Sequence, residues 1–140
     1  MQLCIKPLWT DDDSLMQVRV SVAGNGRKSW GEAYCYPETF TEFGRALIDF
    51  PISTSHEVKF EPGSADPSDA DRLVLRAFVY DGSGHCAVEF KAVCRGDPIS
   101  FSSVQFAVPT EAASLNEMGR KIVTWAASPT EPFTFEGAGP

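Results

Sequence analysis

Asn25-Gly26 stands between two strand-like runs, "LMQVRVSVAG" and "RKSWGEAYCY", and constrains the fold more than any other feature of the chain. Both residues tolerate positive φ, so the pair fits the two-residue turn whose twist matches that of the strands it joins. Such a turn fixes the register of everything around it. Val22, Val20, Val18 and Met16 then oppose Ser29, Gly31, Ala33 and Cys35. On the reverse face Ser21 opposes Trp30, Arg19 opposes Glu32, and Gln17 opposes Tyr34. A slip of one residue would turn the valines to the other face, so the register is strongly specified.

The same reasoning applies to "RLVLRAFVY" and "HCAVEFKAVCR", which flank Asp81-Gly82-Ser83-Gly84. With Gly82 and Ser83 as the turn, Val79 faces Cys86, Ala77 faces Val88, Leu75 faces Phe90, and Leu73 faces Ala92. The other face pairs Arg76 with Glu89, Tyr80 with His85, and Phe78 with Ala87. Gly82 at the first central position suits a type II′ turn. The stretch "DGSGHC" holds an aspartate, a histidine and a cysteine, residue types that a nucleophilic enzyme uses. His85 and Cys86 are neighbours on a strand, however, and neighbours point to opposite faces. The hairpin therefore argues against a direct dyad.

Two helices follow prolines: "TFTEFGRALIDF" (39–50) and "SLNEMGRKIVTW" (114–125). They align without a gap. Phe40, Phe43, Leu47 and Phe50 match Leu115, Met118, Ile122 and Trp125, a spacing that makes one helical face. Thr39 with Glu42, and Ser114 with Glu117, fit the capping box. Gly44 and Gly119 cost ~1 kcal/mol each in a helix interior, which a close approach to the sheet would compensate. Glu42/Arg45 and Glu117/Arg120 read as pairs on the solvated faces.

Residues 55–63 and 99–108 read as further strands. The segment "QLCIKPLW" reads as an edge strand, because Pro7 lacks a ladder donor. Asp11, Asp12 and Asp13, and Asp66, Asp69 and Asp71, lack EF-hand spacing and read as polar loops. The expected architecture is α+β. It is an antiparallel meander of about six to seven strands in the order βββα-ββββα, with two amphipathic helices on one face. One domain is expected over residues 1–128, with a Pro/Gly-rich tail, 129–140, docked on it by Phe133 and Phe135.

A net charge of −7 argues against nucleic acid and anionic membrane as partners, since both attract basic surfaces. No apolar run approaches the ~20 residues of a membrane span. The opening "MQLCIKPLW" is too short an apolar stretch for a signal peptide, so a cytoplasmic location is expected. The four cysteines, at 4, 35, 86 and 94, form no CxxC pair and read as free thiols in a reducing compartment. No phosphate loop, zinc-ligand spacing or nucleophile elbow occurs, so neither cofactor nor metal is implied.

The first hairpin's reverse face carries Gln17, Arg19, Trp30, Glu32, Tyr34 and Tyr36, residue types that interfaces favour. The opposite row, Val18, Val20, Gly31 and Ala33, is expected to receive the helices. Over residues 30–125, "FTEFGRALIDFP", a strand, "LVLRAFVYDGSGHCAVEF", a long strand and a C-terminal helix together resemble small bacterial proteins of the toxin-immunity type. That resemblance implies a cytoplasmic protein-binding module without chemistry of its own, whose partner is a basic toxin domain. Two alternatives stand beside it. One is a homodimer joined through the aromatic face. The other is an enzyme or small-ligand binder with a pocket between sheet and helices, for which Cys35, Cys86 and His56 are the candidates.

Overall fold

The computed structural model describes residues 1–62, 71–95 and 97–138. The reading of Asp66 and Asp69 as part of a polar loop lies outside the described residues, as do Gly96 and the last two residues of the tail. The elements are β1 (Gln2–Thr10), β2 (Met16–Gly24), β3 (Arg27–Cys35), α1 (Pro37–Ile48), β4 (Glu57–Phe60), β5 (Arg72–Val79), β6 (Cys86–Cys94), β7 (Ser102–Thr110), α2 (Ala112–Ala126) and β8 (Phe133–Glu136). The fold is α+β in the order βββα-ββββα, with β8 after it.

Both hairpin registers hold along their whole length. Val18 faces Ala33 and Arg19 faces Glu32, while Val79 faces Cys86 and Leu73 faces Ala92. Asn25 and Gly26 have φ of 53° and 76°, the double left-handed turn their chemistry favours. The second turn differs from the type II′ expectation. Positive φ falls on Gly84 (87°), not Gly82, and the backbone bonds run from Gly84 N to Asp81 O and from Tyr80 N to His85 O. The loop thus has four residues, closed by Tyr80 and His85, and four residues conserve the register of two.

The strands form two sheets of four, ordered β3-β2-β1-β8 and β4-β5-β6-β7, where one sheet of about six to seven strands was expected. Each hairpin's turn fixes only its own register; which hairpins share a sheet depends on contacts remote in sequence. The inner row of the first sheet meets the second sheet, not the helices. A Cβ on Gly31 would lie 3.1 Å from the Ala92 Cβ and 3.2 Å from a Leu73 methyl. Val18, Val20, Val22, Leu73, Leu75, Val88 and Phe90 share one core, about as apolar rows facing each other must.

The strand β1 is not an edge either. It lies between β2 and β8, but β8 reaches only from Gln2 to Ile5, so Pro7 sits where one side of β1 is open. Phe133 and Phe135 of β8 are buried. The helices close over both sheets. Phe40 stacks on Phe60 of β4 at 4.7 Å, while Trp125 meets Phe133 of β8 at 5.8 Å. Gly44 and Gly119 serve the crossing of the helices, not an approach to a sheet: a Cβ on Gly119 would lie within 2.5 Å of the Gly44 carbonyl.

No capping box forms. The N-cap residues are Tyr36 and Glu111, with no side-chain cap bond, which places Thr39 and Ser114 inside the helices. Pro37 at the first turn has no N–H to satisfy and a φ already set for helix, so α1 starts before Thr39. Ser114 Oγ instead accepts the backbone N–H of Ala138. The α1 C-terminus is held from outside, by Asn116 Nδ2 donating to the carbonyls of Leu47 (2.9 Å) and Phe50 (2.7 Å). Among the described residues Glu117 pairs with Lys121 rather than Arg120, and Glu42 forms no ion pair with Arg45.

Candidate functional site

The outer face of the first sheet is built by alternation. Because β2 and β3 send Val18, Val20, Gly31 and Ala33 inward, Gln17, Arg19, Trp30, Glu32 and Tyr34 point the other way. Neither helix covers them. Trp30 and Tyr34 keep 54% and 55% of their surface exposed, values that mark them as outside the core. The Arg19 guanidinium lies 4.4 Å from the Trp30 ring centroid and 3.2 Å from Glu32 Oε1. Arg19 thus sits over the indole as a cation over a π-face.

Trp9 joins this group, and the sequence reading missed it. Strict alternation along β1 would place Trp9 inward with Leu3 and Ile5. A bulge between Pro7 and Trp9 shifts the register, so that Trp9 pairs with Gln17 and points outward. Its Nε1 donates to Gln17 Oε1 at 2.6 Å, and its ring lies 5.8 Å from that of Tyr34. The proline was the one signal in the sequence that β1 is irregular there. Tyr36 is exposed at the N-cap of α1, and no ring pair or side-chain hydrogen bond among the described residues ties it to the others.

The patch thus runs from Trp9 through Tyr34 and Gln17 to Arg19, Glu32 and Trp30. Gln17 is bonded to Trp9 and Arg19 to Glu32, though the buried Arg19 Nε has no hydrogen-bond partner among the described residues, and aromatic surface is the patch's principal feature. Large exposed aromatic patches of this kind are typical of contact with another chain.

The second sheet's outer face is different in kind. Arg76 bridges Glu57 (3.0 Å) and Glu89 (3.3 Å), Gln105 donates to Glu89, and Arg72 pairs with Glu61. The Arg76 hydrogen bonds hold the Glu57 and Glu89 carboxyls below the ordinary glutamate value. Arg76 also lies over the Phe78 ring at 4.0 Å. Charge covers this face where aromatic rings cover the other.

The residues considered for catalysis do not converge. Cys35 is buried, and desolvation pushes its thiol up to about 12. Burial and the neighbouring Asp81 carboxylate also raise the Cys86 thiol. A thiol so shifted is a poor nucleophile at neutral pH. His56 Nδ1 accepts the backbone N–H of Ile52 and its ring packs against Phe50, so it braces a loop. At the hairpin tip, Asp81 bonds to the His85 ring and accepts the backbone N–H of Ser83 and His85. Those bonds, the His85 ring's first, lower the Asp81 carboxyl. They also give it a turn-forming role. Among the described residues no three His, Cys, Asp or Glu side chains gather to hold a metal ion.

A cleft of about 370 Å³ opens beside β3, not between sheet and helices. Ser29, Trp30 and Glu32 line one side, and Arg72, Ala92 and Val104 of the second sheet line the other. A smaller one, about 260 Å³, lies at Gly84, Cys86 and Glu111.

No protein-family model matches the chain, and no curated protein sequence matches it. In structure the chain is similar to the plant transcriptional regulator PBF-2, with a TM-score of 0.48 and 15% sequence identity. The match covers 90% of this chain and 75% of that one.

Proposed function

We propose that this protein is a protein-binding module without catalytic chemistry, and that its contact surface is the outer face of the first sheet. The supporting observation is the exposed aromatic patch of Trp9, Trp30 and Tyr34 on the sheet, with Gln17, Arg19 and Glu32 beside it. Tyr, Trp and Arg dominate the binding energy of interfaces; Tyr and Trp bury much area at low entropic cost, and Arg adds charge-assisted and cation–π contacts. The partner is a basic protein. A net charge of −7 speeds encounter with such a partner and repels anionic surfaces. Inhibition of a basic toxin domain, in the manner of an immunity protein, is one form this function takes.

Affinity capture from the native host tests the proposal. The wild-type chain should recover one basic protein, and Trp9→Ala should lose it while keeping the wild-type melting temperature. Capture unaffected by Trp9→Ala and Tyr34→Ala would remove the outer face from the account.

A further inference from the structure

The strand β3 is the edge of its sheet, nine residues long, and among the described residues no strand lies on its far side. Its hydrogen-bonding phase follows from the turn. Gly24 and Arg27 close the two-residue loop, so they exchange backbone bonds, and the bonded pairs continue with Val22–Ser29, Val20–Gly31, Val18–Ala33 and Met16–Cys35. The N–H and C=O groups of Lys28, Trp30, Glu32 and Tyr34 consequently point away from β2, into the open edge. An edge this long is a template for another strand.

We propose that a second copy of this chain occupies that edge, β3 against β3 antiparallel, with Trp30 opposite Trp30 across the two-fold axis. The charges choose this register. Only residues 28, 30, 32 and 34 have backbone groups to exchange, so a symmetric pairing must oppose members of that set. Centring on Glu32 or on Lys28 sets like charges face to face, which is unfavourable. Centring on Tyr34, or midway between any two neighbouring members of the set, opposes no charge pair. Centring on Trp30 sets Lys28 opposite Glu32 twice, once at each side of the axis.

The side chains are ready for these contacts. Lys28 forms no ion pair among the described residues, and Glu32 uses Oε1 for Arg19, leaving Oε2 for the lysine of the second copy. On the inner side the incoming strand presents Ser29 and Gly31, small residues suited to the cleft beside β3. Pairing would join the outer faces of the two first sheets into one continuous surface. This inference does not rest on the function proposed above; Glu32 belongs to both surfaces, but this test reads self-association through Lys28 and Glu32, whereas that one reads partner capture through Trp9 and Tyr34.

The test is sedimentation of the whole chain at physiological salt, where the repulsion between two −7 copies is screened, over a range of concentrations up to millimolar. The wild type should form a dimer. Lys28→Glu alone and Glu32→Lys alone should each weaken it by about tenfold or more, because each sets like charges opposite twice. The double reversal Lys28→Glu/Glu32→Lys should restore it. Hydrogen exchange supplies a second reading: the amides of Lys28, Trp30 and Glu32 should slow as concentration rises. A wild type that stays monomeric, or single reversals that leave the dimer intact, would overturn the proposal, as would a double reversal that fails to restore it.

Discussion

Gly44 and Gly119 meet where α1 crosses α2, and each would push a Cβ into the other's backbone carbonyl, at 2.8 Å and 2.5 Å. Alanine gains ~1 kcal/mol over glycine in a helix, but overpacking against backbone costs ~1–3 kcal/mol. Gly119→Ala should therefore lower stability by up to about 2 kcal/mol in urea unfolding, and a stabilised variant would contradict the crossing. Gly84 and Gly82 make a second contrast. Gly84 needs its φ of 87°, whereas Gly82 lies outside the left-handed region with open space around it. Gly84→Ala should cost ~1 kcal/mol and Gly82→Ala about nothing. The thiols separate likewise: a native-state titration should modify exposed Cys94 first, and reach Cys35 and Cys86 only on unfolding. The glycines of the helices were legible as close-approach sites. What they approach was not, because an amphipathic stripe does not say whether a helix or a sheet lies beside it.

Among the elements, β5 and β6 owe part of their pairing to Arg76. Its hydrogen bonds depress the Glu57 and Glu89 carboxyls below the ordinary 4.5, so the folded state binds protons less readily than the unfolded one. The resulting stability is fully present above 4.5 and is lost as pH falls through the lowered values. Arg76→Leu should be destabilised relative to wild type at neutral pH, and the gap should shrink as pH falls below 4.5. A gap independent of pH would mean that Arg76 acts only by packing on Phe78. Registers were the most legible part of the fold, since Asn25-Gly26 and the Asp81–Gly84 loop set them locally. The element β8 was hidden in a Pro/Gly-rich tail, with only Phe133 and Phe135 to show it. The bulge that turns Trp9 outward was likewise invisible, because Pro7 marks an irregularity without giving its sense. Capping was misread for a related reason: Pro37 starts α1 two residues ahead of Thr39, and so removes the geometry the box requires.

For the molecule as a whole, two four-stranded sheets share a core that a pair of crossed helices closes. No helix of the described residues is long and apolar enough to cross a membrane. The consequence of two sheets is that each keeps one face outside the core, and the two outer faces differ in chemistry. One is a lattice of ion pairs on Arg76; the other gathers Trp9, Trp30 and Tyr34 around Arg19. Most of the candidate face was legible, because strand alternation alone puts Gln17, Arg19, Trp30, Glu32 and Tyr34 together. The cover over its inner side was not, since the sheet that packs there is contributed by residues far along the chain. The measurement that bears most directly on the account is a calorimetric titration of the captured partner with wild type and with Tyr34→Ala. If the outer face is the contact surface, the variant should bind more weakly by ~2 kcal/mol, roughly thirtyfold, with its melting temperature unchanged. Equal affinity of the two, with the fold intact, would contradict it.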